Sequence, residues 1–303
     1  MMKKRLASAT QISQSANIVL NAIMIILAAA CLYPLLLVFA VSITDESVIQ
    51  TAGYNLIPGK VTLNAYAFIF KDATMILRAY GVSIFITVVG SILSLIIISM
   101  YAYPLSRRDF RYKSFFTFIV FFTMLFNGGL VPFYMVYTNV LHLKNTLFAM
   151  ILMWLFTPFY VLIMRTFYTT TIPSSVMESA RIDGAGEFKI YVRIVLPLAK
   201  PALATIALFN ILFYWNDWYA PLLFITDEKL YNLQYLMYRI ENNISFITQN
   251  AGSMSNTSDA LKNIPAQTAR MAMAIIAIGP IMLAYPFFQR YFVKGLTVGA
   301  VKG

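Results

Sequence analysis

The sequence predicts an all-α integral membrane protein, with six transmembrane helices and a short cytoplasmic coupling helix between the fourth and fifth spans. Three observations carry that expectation. The 303 residues are 60% hydrophobic and only 12% charged, against roughly a quarter charged in an ordinary soluble domain. Six apolar runs each reach the length of about 20 residues that a lipid crossing needs. A long polar stretch, residues 166–197, carries helix signals of its own between two of those runs. Lipid offers no partner for a backbone N–H or C=O, and the alternating short segments of a barrel are missing, so the runs read as helices.

The elements follow in order. Residues 1–17 form a cytoplasmic segment with Lys3, Lys4 and Arg5, and residues 18–303 a single transmembrane domain without internal repeat or linker. The first run, about 18–43, starts after a basic segment and resembles a secretion signal. A cleaved signal has an apolar region of roughly 7–15 residues, whereas this one continues past Cys31 through Leu32, Leu35 and Val38. It therefore stays as a spanning helix with Cys31 buried within it, and a single cysteine excludes a disulfide framework and a cysteine-based zinc site. The remaining runs are about 82–103, 115–137, 147–164, 198–224 and 271–293, with prolines such as Pro104, Pro132, Pro158, Pro221 and Pro280 marking kinks or ends. Two long outer loops, 44–81 and 225–270, are polar and turn-rich, and either face a partner or act as tethers.

Charge sets the orientation. With a cytoplasmic N-terminus, Lys60, Lys71, Arg78, Lys144, Lys229, Arg239, Lys262 and Arg270 lie outside, and the other 15 of the 23 basic residues lie inside on less loop sequence. The positive-inside rule then places both termini in the cytoplasm of a multi-pass plasma-membrane protein. The net charge of +11 is dispersed between apolar runs, which argues against a nucleic-acid partner and fits topology. The lone histidine, His142, has no metal-ligand partner spaced near it and reads as a solvated loop residue, so no metal site is expected.

The stretch 166–197 is the most informative. Ser175-Val176-Met177-Glu178 has the spacing of a capping box, which predicts a helix starting there. Asp183-Gly184 predicts its end, because glycine takes the left-handed conformation without a steric penalty, and Gly186 adds a second free joint. A further amphipathic piece follows, with Phe188, Tyr191, Val192 and Val195 apolar, before Pro197 and Pro201 lead into the fifth run. A helix of about two turns is not stable alone in water and needs something to pack against. Small residues at Ser179, Ala180 and Ala185 permit close approach of another surface, and Glu178, Arg181 and Asp183 can orient it.

Glu178-Ser179-Ala180-Arg181-Ile182-Asp183-Gly184-Ala185, followed by Phe188, Ile194 and Leu196-Pro197-Leu198, resembles the EAA motif of binding-protein-dependent ABC importers, with Ser179 in place of an alanine. That resemblance implies that the short helix docks into a groove on an ATPase subunit through Glu178, Ser179, Ala180, Arg181, Asp183, Gly184, Ala185, Phe188 and Pro197. It also implies the partners: a second homologous permease, two ATPase subunits and an extracellular solute-binding protein. Phe126-Asn127-Gly128-Gly129-Leu130-Val131-Pro132 and the tail from Tyr291 to Gly303 are similar to the carbohydrate branch, a maltose-permease-like group that includes LplC-like and YtcP-like members. The implied cargo is an oligosaccharide or related carbohydrate entering a bacterial cell.

Two stretches are candidates for the substrate path. Tyr214-Trp215-Asn216-Asp217-Trp218-Tyr219 interrupts the fifth run with an amide and a carboxylate. An ionisable group within a span faces a cavity or a partner, and aromatic faces beside hydroxyl-binding groups suit a sugar. The same residues also fit an interfacial aromatic belt. Asn127, Gly128 and Gly129 either line the path or form a packing notch. No Gly-x-x-x-x-Gly-Lys-Ser/Thr loop occurs, so this chain binds no cofactor of its own, and ATP and Mg belong to the partner ATPase subunits. Neither a catalytic triad nor paired buried carboxylates point to an enzyme. A permease for a non-sugar solute, or a secondary transporter, is the alternative.

Overall fold

A computed structural model of the chain describes residues 13–250 and 265–282. The basic Lys3-Lys4-Arg5 cluster, Lys262, the polar run 252–258, the distal part of the sixth run (283–293) and the glycine-bearing tail lie outside the described residues. Regular structure among the described residues is helical, with one isolated antiparallel bridge between Thr44 and Val61. The chain divides into two compact units, Met1–Lys71 with Ile244–Ile276, and Asp72–Asn243 with Ala277–Gly303.

In the first unit, α1 (Gln14–Ser42) starts where the Ser13 hydroxyl accepts from Ala16 N. Its apolar surface is exposed along nearly all its length, Cys31 included, and only its end at Ala40, Val41 and Ser42 is buried. The expectation that Cys31 is buried is therefore corrected: it sits on the helix but on no face that the described residues cover. The expected long loop after residue 43 has structure of its own. It contains α2 (Glu46–Ala52) and α3 (Asn64–Ile69). Asp45 N donates to Lys60 O at 2.9 Å, Thr62 N donates to Ile43 O at 2.8 Å, and Lys60 Nζ pairs with Asp45 at 2.9 Å. The Glu46 carboxylate accepts from Gln267 N at 3.0 Å, Thr268 N at 2.9 Å and Thr268 Oγ1 at 2.8 Å. Those amides open the last described helix, Ala266–Met282, whose first-turn N–H groups have no partner inside the helix.

The second unit holds α4 (Ala73–Ser106), capped by Asp72, which accepts from Met75 N at 3.1 Å. At 34 residues it extends beyond the expected 82–103 at both ends. Next come α5 (Lys113–Leu125), α6 (Leu130–Met135) running into a π-turn, α7 (Leu147–Met153) and α8 (Pro158–Thr171). Then follow α9 (Ser174–Ile182), α10 (Glu187–Ile190), a π-turn Tyr191–Val195 and α11 (Leu196–Leu198). The series ends with α12 (Lys200–Trp215), α13 (Tyr219–Phe224) and α14 (Leu233–Asn250), which replaces much of the second expected outer loop and runs on past residue 243.

By length and composition α1 and the run Asn64–Ser106 can each cross a membrane, whereas three expected spans are broken. The third bends by 112° between Lys113–Leu125 and Leu130–Val140. There Gly129 takes φ +88° and its N–H is drawn to Asn127 Oδ1 at 2.8 Å, so the helical ladder is replaced by a local turn. The fourth bends by 52° ahead of Pro158, whose ring excludes the preceding turn, and it ends at Thr171, not 164. The fifth is bent by 78° between Glu187–Leu198 and Lys200–Trp215 and interrupted again at Asn216–Trp218. The predicted coupling loop from 166 is correspondingly shorter, since its first six positions belong to α8.

The core of this unit lies where α4, α8 and α12 pack, around Ile98, Ala102, Val161, Met164, Ile190 and Ile206. Hydroxyls hold it as well. Ser99 Oγ lies 2.9 Å from Tyr168 OH and 2.6 Å from Tyr191 OH, and Asn210 Nδ2 donates to Ser94 Oγ at 3.1 Å, a bonding mode well suited to helices in lipid.

Candidate functional site

At one end of the second unit, α9 begins at Ser174 behind Pro173, and its first turn carries no side-chain cap. The expected Ser175–Glu178 capping box is absent. Proline fixes its own φ and stands in the cap position two residues earlier, which moves Ser175 into the first turn. The other end is as expected: Gly184 has φ +78°, Ala185 N donates to Ala180 O, and Gly184 N donates to Arg181 O, both at 2.9 Å. This is the two-bond Schellman arrangement that requires a left-handed residue.

No residue of α9 is buried. Met177, Ala180 and Ala185 are partly buried and pack against the core. The outward surface carries Ser179, Glu178 and Asp183 together with Val176 and Ile182, the latter 87% exposed. Phe188, 71% exposed, extends the same apolar display, while Tyr191 and Val195 turn inward, and Pro197 is exposed. Large aliphatic and aromatic side chains exposed on the polar end of a membrane protein mark a contact surface.

Behind the helix lies a charge cluster that the sequence reading missed. Arg181 Nη2 donates to Asp109 Oδ2 at 2.7 Å and its Nε to Glu187 Oε1 at 2.6 Å. Arg107, only 8% exposed, donates from Nε to Asp109 Oδ1 at 3.3 Å and from Nη1 to Met177 Sδ at 3.0 Å. Tyr103 OH donates to Glu187 Oε2 at 2.8 Å. The hydrogen bond from Arg181 holds the Asp109 carboxyl below its ordinary range. For Glu187 burial pushes upward, but the bonds from Tyr103 and Arg181 outweigh it and the net shift is down. A cavity of about 430 Å³ adjoins the cluster, lined by Arg107, Asp109, Thr170, Pro173, Met177 and Arg181 among others.

The second candidate lies at the break between α12 and α13. Asn216, Asp217 and Trp218 line a cavity of about 510 Å³ together with Trp154, Tyr160, Phe209, Phe213 and Tyr219. Asp217 is 6% exposed, and its Oδ1 accepts from Tyr219 N at 3.0 Å and Ala220 N at 3.1 Å, capping α13. Its Oδ2 and Trp154 Nε1 are both buried, and the indole interacts with the Asp217 carboxylate. Trp218 stacks on Tyr238 at 4.8 Å, and Trp154 meets Phe213 edge-on at 4.5 Å. Aromatic faces beside an amide and a carboxylate suit a ligand with hydroxyl groups and apolar C–H faces.

The other expected path residues are elsewhere. Tyr214 is buried under Gly90, with its OH bonded to Ile151 O at 2.8 Å, and Trp215 Nε1 donates to Ala277 O at 2.9 Å. Both hold the frame and do not line the cavity. Asn127, Gly128 and Gly129 are exposed at the bend of the third run, away from this cavity. Trp154, Tyr160 and Phe209 lie far from the Tyr214–Tyr219 stretch in sequence or one helical turn before it, and only their aromatic character hinted at a role.

Residues 95–298 match the family described as binding-protein-dependent transport system inner membrane component. The chain is 37% identical to protein LplC of Bacillus subtilis (strain 168) over 91% of its own length and 90% of that protein's. It is 36% identical to the polygalacturonan/rhamnogalacturonan transport system permease protein YtcP of the same organism, over 92% and 96%. A solved chain from a bacterial ABC transporter involved in the import of the acidic polysaccharide alginate superposes with a TM-score of 0.76 at 29% identity, covering 93% of this chain and 99% of that one.

Proposed function

Because the chain belongs to the family of binding-protein-dependent transport system inner membrane components, we propose that it is a permease subunit of an importer that carries an oligosaccharide or related carbohydrate into the cell. ATP is hydrolysed on separate subunits. The working complex has a second homologous permease, two ATPase subunits and an extracellular solute-binding protein. In this reading the chain crosses the membrane six times: α1, the run Asn64–Ser106, the three bent pairs, and the helix that starts at Ala266. Both termini are cytoplasmic, and ATP and Mg stay on the partner ATPases.

The observation that carries the reading is α9, a two-turn helix with no buried residue that displays Val176 and Ile182, with Phe188 of α10 extending the display, on the side that the basic residues assign to the cytoplasm. Exposed aliphatic and aromatic side chains of that size are stabilised by a partner groove. Carbohydrate as the cargo is supported by the cavity at Asn216–Trp218, by YtcP and by the alginate importer. The test is Ile182→Glu: the chain is expected to reach the membrane at normal yield and to lose its ATPase subunits on purification, with uptake abolished. Full ATPase recovery with uptake intact would refute the docking role.

A further inference from the structure

The coupling helix has two covalent routes into the membrane, and both are jointed. On its N-terminal side the chain passes through the non-helical Ile172 and Pro173 into α8, itself one half of a bent pair. On its C-terminal side it passes through left-handed Gly184, then Gly186, a π-turn and a 78° bend before α12 begins. Joints of this kind absorb a displacement as local backbone rotation. By contrast α4 runs unbroken for 34 residues, about 50 Å at 1.5 Å per residue, and is packed along α8 and α12. It is the stiff member of the unit, and it does not adjoin α9 in sequence.

The connection between them is the charge cluster. Tyr103 sits in the last turn of α4, and Arg107 and Asp109 follow directly after its end. Arg181 is in the last turn of α9, and Glu187 opens α10. Arg181 is held by two carboxylates from different segments, and Glu187 is held by Arg181 and Tyr103, with Arg107 Nη2 4.0 Å away. Charge-assisted bonds that fork from one guanidinium fix direction as well as distance. We propose that Tyr103, Arg107, Asp109, Arg181 and Glu187 form a brace that makes the coupling helix move as one body with the end of α4, so that a displacement imposed on α9 reaches the membrane through the stiff helix. These are positioning residues. The inference rests on the docking role proposed above for α9, and none of Tyr103, Arg107, Asp109 or Glu187 belongs to the expected docking set.

The test uses the assembled transporter in proteoliposomes, with ATP hydrolysis and solute uptake measured on the same vesicles. Asp109→Asn and Glu187→Gln each remove a charge from a partly exposed pair, an interaction worth up to about 1 kcal/mol, which corresponds to up to about five-fold. Each is expected to lower solute taken up per ATP hydrolysed by two- to five-fold, and the double variant by about ten-fold, with the ATPase subunits still bound. Asp109→Glu, which keeps the charge, is expected to return the ratio to within two-fold. A photo-crosslinker at Ile182 reports docking independently. If it reaches the ATPase in wild type and in the variants while uptake per ATP is unchanged in both single variants, the brace is wrong and docking stands. If wild type gives no such adduct, docking fails and the brace falls with it. Should the double variant not assemble, the single variants decide.

Discussion

Gly90→Ala is expected to be among the most damaging single-methyl changes in this protein. A Cβ built at Gly90 lies 2.5 Å from Tyr214 Cζ, 2.7 Å from Cε1 and 2.9 Å from Cε2, all well inside contact distance. The tyrosine cannot swing aside, because it is 1% exposed and its hydroxyl donates to Ile151 O at 2.8 Å. Overpacking of this kind costs about 1–3 kcal/mol, and a ring displaced from its bond leaves a buried hydroxyl and carbonyl, adding about 1 kcal/mol. A total of about 2–4 kcal/mol follows. The assay is unfolding of the purified chain in mixed micelles with increasing SDS, run as a double-mutant cycle with Tyr214→Ala. If the clash is the cause, the two changes together cost less than their sum by at least about 1 kcal/mol. Uptake should also fall, since Tyr214 precedes by two residues the break that frames the aromatic cavity. Stability within 0.5 kcal/mol of wild type, or strict additivity in the cycle, would show that the close approach of α4 and α12 is not what this glycine serves.

Two further outcomes are expected in the first unit. Glu46→Ala removes the carboxylate that accepts from Gln267 N and Thr268 N, and the loss of such a cap costs about 1–2 kcal/mol. Amide exchange at 266–269 should quicken by about ten-fold, and Glu46→Gln should recover part of it; unchanged exchange would refute the cap. The Asp45 carboxyl is pushed down to about 2, first by the Ser47 hydroxyl and then by Lys60. A lowered carboxylate stabilises above its unfolded range, near pH 4, and that contribution is lost as pH falls toward 2. Protease resistance of residues 46–62 should therefore hold from pH 7 to about 4 and decline below, with Asp45→Asn showing no such decline; a wild-type loss already at pH 6 would refute the assignment.

Hydropathy made the apolar runs readable, because a lipid-spanning stretch differs from a loop at nearly every position. It could not reveal the bends. A run stays equally apolar on both sides of Asn127-Gly128-Gly129 or of Pro158, so composition reads straight through a break that only backbone geometry shows. Gly184 was readable because its role is local, a single left-handed residue ending a helix. The supposed cap at Ser175 failed for an equally local reason, since Pro173 competes for the start of the same helix. The brace was not readable at all: Arg181 and Asp109 are 72 positions apart, and each alone looks like an ordinary loop charge. Trp154 and Asp217 met only through folding, whereas Asn216, Asp217 and Trp218 stood out as polar and aromatic residues within an apolar run. Tyr214 and Trp215 share that stretch but are taken up in the frame, bonded to Ile151 O and Ala277 O.

The first helix has a consequence of its own. It is apolar all round and, among the described residues, buried only at Ala40, Val41 and Ser42, so none of these selects an azimuth for the remaining length. Its apolar stretch from Ile18 to Ser42 measures about 38 Å at 1.5 Å per residue, longer than a hydrocarbon layer of about 30 Å. The excess is taken up by leaning. The helix thus behaves as a mast stepped at one foot, with a rake that lipid and neighbouring chains set.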